Sequence, residues 1–91
     1  LDDLPTEQGL YLFFDAEELL YVGETENLRS RIKKHLDHSD NKGLARWMWE
    51  FGTNALNLEI QILDASTNSR ARKALELELI RSRHPVFNVK R

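Results

Sequence analysis

Two short runs rich in aromatic and aliphatic residues, Gly9–Phe14 (G-L-Y-L-F-F) and Leu19–Gly23 (L-L-Y-V-G), flank the polar Asp15-Ala16-Glu17-Glu18. This is the pattern of a β-hairpin. Both faces of the hairpin carry apolar side chains, so both need cover. From Asn27 the period lengthens: Leu28, Arg31, Ile32, His35 and Leu36 recur at helical spacing, with Thr25 or Asn27 as the N-cap and the polar stretch 37–41 as the stop. Leu44, Trp47, Met48 and Phe51 form a second helical stripe that ends at Gly52. The period then drops to two. Leu56, Leu58, Ile60 and Ile62 alternate with Asn57, Glu59 and Gln61, which predicts a third strand with one face on a core. A last helix is expected from about Ser69 to Arg83, with Ala71, Ala74, Leu75, Leu79 and Ser82 turned inward and Pro85 preventing its continuation. The order is ββααβα, an α+β unit. Three strands cannot close a barrel, so they form a small sheet that the helices cover.

With 91 residues there is room for one domain, and 1–91 is read as a single unit, expected to be part of a longer chain. The absence of cysteine excludes a disulfide framework, a thiolate zinc site and a cysteine nucleophile. No apolar run is long enough for a membrane span or a secretory signal, so the expected setting is intracellular and cytoplasmic, with no membrane partner. The net charge of −2 hides an asymmetry. Residues 1–28 carry eight acidic side chains and no Lys or Arg, whereas residues 29–91 carry all 13 basic ones against seven acidic. Such a split allows an anion-binding pole, and equally a chance segregation of solvated faces.

Gly9-Leu10-Tyr11, then Tyr21-Val22-Gly23, then Asn27-Leu28, Arg31 and His35, followed far along the chain by Glu76, Leu79-Ile80, Pro85 and Asn88, resembles the signature of the GIY-YIG endonuclease family. With Leu4-Pro5 ahead of the first motif, the likeness is nearest to the N-terminal nuclease domain of the bacterial excision-repair incision subunit, and it runs from Leu4 to Val89. The resemblance implies a three-stranded antiparallel sheet flanked by helices and a metal-dependent endonuclease acting on DNA in repair. It also implies that Tyr11, Tyr21, Arg31, His35, Glu76 and Asn88 are the catalytic set. One departure stands out. Repair-type members usually carry Lys after the second motif's Gly, where this chain has Glu24. Strand alternation turns Glu24 away from Tyr21.

The residue chemistry is consistent with that reading. Phosphodiester hydrolysis needs cations on the phosphoryl oxygens, a base for water and help for the leaving oxygen. Arg31 lies on the inner stripe of its helix, and His35 follows one turn later as a group able to hand on protons near neutral pH. A lone carboxylate, Glu76, with water and substrate oxygens suits a single Mg2+ or Mn2+. Tyr11, assisted by His35, is expected to receive the water proton while Tyr21 orients water or phosphate; the reversed assignment stays open. Arg29, Lys33, Lys34 and Arg46 are the expected DNA-phosphate contacts, with further domains or a protein partner supplying substrate choice. Bland readings stand alongside: surface tyrosines, an Arg31–Glu76 structural pair, and an Asn88 that merely satisfies backbone. His38 and His84 are read as surface residues. Trp49 falls off the second helix's stripe, beside Arg46, and either covers the sheet edge or stacks on a base. The alternative function is an inactive nuclease-fold module that serves as a DNA or protein adaptor.

For Tyr11 and Tyr21 to share a site they must lie on one sheet face. If they are directly opposite, the hairpin turn is the three-residue Asp15-Ala16-Glu17.

Overall fold

A computed structural model describes residues 3–88. Leu1 and Asp2, and Val89 at the end of the family resemblance, lie outside the described residues. The elements are β1 (Gly9–Phe14), β2 (Leu19–Thr25), α1 (Leu28–His38), α2 (Lys42–Phe51), a 3-10 turn (Thr53–Ala55), β3 (Asn57–Ile62) and α3 (Ser69–Arg83). The expected order ββααβα holds. The sheet is antiparallel throughout, with strand order β2-β1-β3.

Three asparagines start the three α-helices. Asn27 Oδ1 accepts from Ser30 N, Asn41 Oδ1 from Leu44 N, and Asn68 Oδ1 from Ala71 N, at 3.0, 2.9 and 2.8 Å. Each satisfies an amide that the helix itself leaves unpaired. Gly52 closes α2 at φ 80°, a backbone angle that favours glycine.

The hairpin departs from the three-residue turn. Tyr11 pairs with Gly23 and Phe13 with Tyr21, but Phe14 pairs with Leu19, so Leu20 is an extra residue in β2. The bulge sits beside a four-residue connection, Asp15–Glu18. There Asp15 Oδ1 accepts from the amides of Glu17 and Glu18, both at 2.8 Å, an arrangement that aspartate forms readily at turns. Leu19 thereby changes sides. Alternation alone would place it with Tyr21; the bulge sends it to the opposite face, where it packs with Leu12, Val22 and Phe14 under Leu79 and Ile80 of α3. Tyr11 and Tyr21 still share a face, offset diagonally instead of directly opposed.

The face that carries the tyrosines is covered by α1 and α2. Tyr11, Phe13, Leu28, Ile32 and Leu44 form its buried core, with Leu4, Leu36, Met48, Leu56, Ile60 and Phe87 around it. The other face meets α3, though not through the expected stripe. Ala71, Ala74 and Ser82 are exposed, and the inward line is Arg72, Leu75, Glu76, Leu79 and Ile80, rotated by about one residue, or about 100°. The rotation buries Arg72, whose Nε donates to Glu24 Oε1 and whose Nη1 donates to Gln8 Oε1 at 2.6 Å.

The expectations for β3 and α2 also need correction. β3 is an edge strand on which Ile60 is half-buried while Leu58 and Ile62 are exposed. On α2, Phe51 lies outside the core with its ring 5.2 Å from that of Trp47, and Trp49 is 89% exposed, so it covers no sheet edge. The outer edge of β2, by contrast, is closed by the chain's last described residues. Val86 N and Phe87 N donate to the carbonyls of Leu19 and Leu20 at 3.2 and 2.8 Å. Asn88 then grips Val22, its Oδ1 accepting from Val22 N at 2.7 Å and its Nδ2 donating to Val22 O at 2.9 Å.

Candidate active site

The hairpin brings the two tyrosines together, and α1 lays Arg31 and His35 over them. Tyr11 stands opposite Gly23, and its phenol lies directly over the glycine. A Cβ at that position would overlap Cζ and Oη of Tyr11. The second motif ends in glycine because the first motif's ring occupies the space a side chain would need. The Tyr11 and Tyr21 ring centroids are 6.2 Å apart, and His35 lies 5.4 and 5.3 Å from them.

Tyr11 Oη is 2.9 Å from His35 Nε2, and Arg31 Nε donates to the same oxygen at 3.4 Å. The far side of the imidazole, Nδ1, is 2.9 Å from Ser39 Oγ. A neutral imidazole has one donor and one acceptor. If Nε2 accepts the phenol proton, Nδ1–H donates to Ser39, and every group from Arg31 to Ser39 is satisfied. Ser39 is a member that sequence reasoning missed, although its position four residues after His35 is the spacing that could have found it.

Burial sets the charge states. Tyr11 is 1% exposed, and desolvation holds its phenol well above the usual tyrosine range; the Arg31 hydrogen bond opposes this, while Tyr21 and Glu76 add to it. Tyr21, half-buried, is also raised, first by desolvation and then by the Glu76 carboxylate. His35 is held down at about 4 by burial and by the Arg31 charge. Glu76, half-buried on α3, thus acts on both phenols through its charge.

Four of the six expected catalytic residues therefore meet, Tyr11, Tyr21, Arg31 and His35, while Glu76 acts on the two phenols from α3 through its charge. Asn88 does not join them. Its side chain is engaged with the Val22 backbone, between Tyr21 and Gly23. Of the expected phosphate contacts, Arg29, Lys33 and Lys34 line one cleft along α1. Arg29 also ties down the N-terminal segment through Nε to Leu4 O at 2.8 Å, and Lys34 is 3.8 Å from Asp40. Arg46 stands on α2, exposed and 3.4 Å from Glu50. Glu24 points to Arg72 on the α3 side and away from the phenols.

The description "UvrC-like GIY-YIG domain" matches residues 7–89. The chain belongs to this family. Among its relatives, the UvrABC system protein C of Helicobacter hepaticus is 35% identical, covering 98% of this chain and 15% of that protein. The protein of the same name from Acidobacterium capsulatum is 38% identical over 94% of this chain and 13% of its own length. Excinuclease cho of Shigella flexneri is 33% identical over 97% of the chain and 27% of its own length. The chain thus spans a small part of the curated relatives it matches. Among solved structures, the GIY-YIG N-terminal endonuclease domain of UvrC from Thermotoga maritima, bound to magnesium as its catalytic divalent cation, superposes with a TM-score of 0.70 at 27% identity. It covers 93% of this chain and 86% of that one. A point mutant of the same domain, bound to its divalent cation, gives 0.72.

Within this family fold, the donor set can be tested for a metal. Among the described residues no group of three or more His, Cys, Asp or Glu side chains could hold an ion. Glu76 remains, half-buried on α3, while Glu78 is exposed on the helix. A single carboxylate donor fits a hydrated Mg2+ or Mn2+, whose shell is largely water and substrate oxygen, and does not fit zinc.

Proposed function

We propose that this chain is the metal-dependent endonuclease domain of a longer DNA-repair protein and hydrolyses phosphodiester bonds of DNA. The observation that carries the reading is the meeting of Tyr11, Tyr21, Arg31 and His35 on one sheet face, with the Glu76 carboxylate of α3 acting electrostatically on both phenols. Arg31 clamps a non-bridging phosphate oxygen. Glu76 holds the divalent ion, which when bound stabilises charge on the phosphoryl and departing oxygens.

Exposure divides the work of the tyrosines. Tyr11, 1% exposed, cannot touch the attacking water, so that contact falls to the half-buried Tyr21. As water loses its proton to the Tyr21 oxygen, Tyr21 passes its own to Tyr11, and Tyr11 passes its own to His35 Nε2. The reversed assignment left open by sequence is the one that burial supports. At rest His35 is a poor acceptor, partly because of Arg31. A phosphate on Arg31 neutralises that charge and lifts the imidazole when it is needed. Asn88 acts as a positioning residue that fixes β2 on either side of Val22.

Arg29, Lys33 and Lys34 supply a salt-sensitive, sequence-tolerant hold on the backbone, aided by Arg46, while companion domains or a partner choose the substrate. The adaptor alternative draws on the acidic first third of the chain and on Glu24, and with Glu24 turned to Arg72 the second of these falls away.

The test is plasmid nicking in Mg2+ or Mn2+ with an EDTA control. The domain should nick only with metal, and Glu76→Gln should lose at least about 100-fold in rate, the scale of removing a principal electrostatic stabiliser, while keeping its DNA affinity. Nicking by Glu76→Gln at the parent rate would overturn the site.

A further inference from the structure

Trp49 is the most exposed large apolar side chain among the described residues, at 89%. An indole normally gains stability by burial, and one left almost wholly in water by its own fold is available to a ligand. It borders a cleft of about 330 Å3 shared with Met48, His35, His38, Ser39 and Thr53. That volume is at the lower end of what accommodates a small ring system.

Two features of the surroundings say what kind of ring. First, the cleft adjoins the basic one. Asp37 lines both this cleft and the one that carries Arg29, Lys33 and Lys34 along α1. From Arg29 to Asp37 the helix rises about 12 Å, the length of three to four nucleotide steps along one strand. A basic track ending at an aromatic platform is the arrangement by which proteins hold a single strand, with phosphates on the cations and a base on the ring. Second, the lining mixes the polar Asp37, His38, Ser39 and Thr53 with the apolar Leu36, Ala45 and Met48. The centre of a protein-docking patch is depleted in Asp and Ser, whereas a nucleobase uses such polar groups for its edge. His35 and Ser39 both line the cleft, and His35 Nε2 also meets Tyr11. A base held here therefore adjoins the relay.

We propose that Trp49 is a stacking platform for an unpaired nucleobase of the DNA strand that runs along α1. This rests on the nuclease reading for its relevance to cleavage, but its test does not. An oligonucleotide carrying a single unpaired 2-aminopurine, titrated in EDTA so that no cutting occurs, reports stacking by loss of fluorescence. Wild type should quench it saturably. Trp49→Ala should bind roughly 5- to 100-fold more weakly, the range of one base–aromatic stack, and Trp49→Phe should stay within a few-fold of wild type. For a fully paired duplex, Trp49→Ala should match wild type.

Because Trp49 is exposed, the alanine variant should fold, which thermal melting checks directly. Equal affinity of wild type and Trp49→Ala for the unpaired probe would overturn the proposal, as would an equal loss on paired duplex. Loss of binding to a protein partner with DNA affinity untouched would overturn it as well. Trp49-dependent binding by a domain that fails to nick would sink only the nuclease reading.

Discussion

The Tyr11 hydroxyl and His35 Nε2 stand 2.9 Å apart in a space so dry that both groups are held neutral. This gives stability a pH dependence. The imidazole is near 4 in the fold against 6.5 in the unfolded chain, so between those values the unfolded state binds more protons. The contribution is complete above about pH 6.5 and fades as pH falls toward 4, amounting to at most about 3 kcal/mol. Urea unfolding at pH 7 and at pH 4.5 should show a loss that is distinctly smaller in His35→Gln. An equal loss in both proteins would place the pH sensitivity elsewhere.

Gly23 should tolerate no side chain. In Gly23→Ala the added methyl overlaps the Tyr11 ring, and the ring cannot retreat because it is tied to His35 and Arg31. Overpacking of this kind costs about 1–3 kcal/mol. The cost should shrink in a Tyr11→Leu background, where the aromatic ring is gone. A double-mutant cycle with no coupling between the two positions would contradict the contact.

Asn88→Ala leaves the amide and the carbonyl of the fully buried Val22 without partners at the β2 edge. A loss of about 1–3 kcal/mol per orphaned group is expected, offset in part by water entry. Hydrogen exchange separates this from a general loosening. The Val22 amide should lose protection well before that of Leu12, and nicking should fall with it because Tyr21 is the adjacent residue. Unchanged protection at Val22 would show that the clamp has no structural weight.

Arg72 and Glu24 form an ion pair with side chains 7% and 17% exposed. Removing one partner should strand the other, so Arg72→Ala is expected to cost about 3–5 kcal/mol. The double variant Arg72→Met with Glu24→Leu should be markedly more stable than Arg72→Ala. If both unfold at the same denaturant concentration, the pair contributes little.

The order of elements and nearly all of their bounds were legible in the chain, because both depend on short-range periodicity and on the polar residues that interrupt it. Asn27, one of two candidate caps in the sequence, acts as the cap of α1, and Asn41 and Asn68 do the same for α2 and α3. The family was also legible, since motif spacing along a strand or helix is preserved whatever packs against it. Glu24 was placed correctly by alternation alone. The tertiary structure decided what depends on partners distant in sequence. Asp15's turn absorbs an extra residue and moves Leu19 to the other face, while keeping the two phenols on one side. The inward line of α3 follows the Arg72–Glu24 attachment and not its most apolar stripe. Leu58, Ile62 and Trp49 alternate or recur like core residues or edge covers, yet all three are exposed. Periodicity says which residues share a face, but only the arrival of another element, at one depth and rotation, determines whether that face is buried.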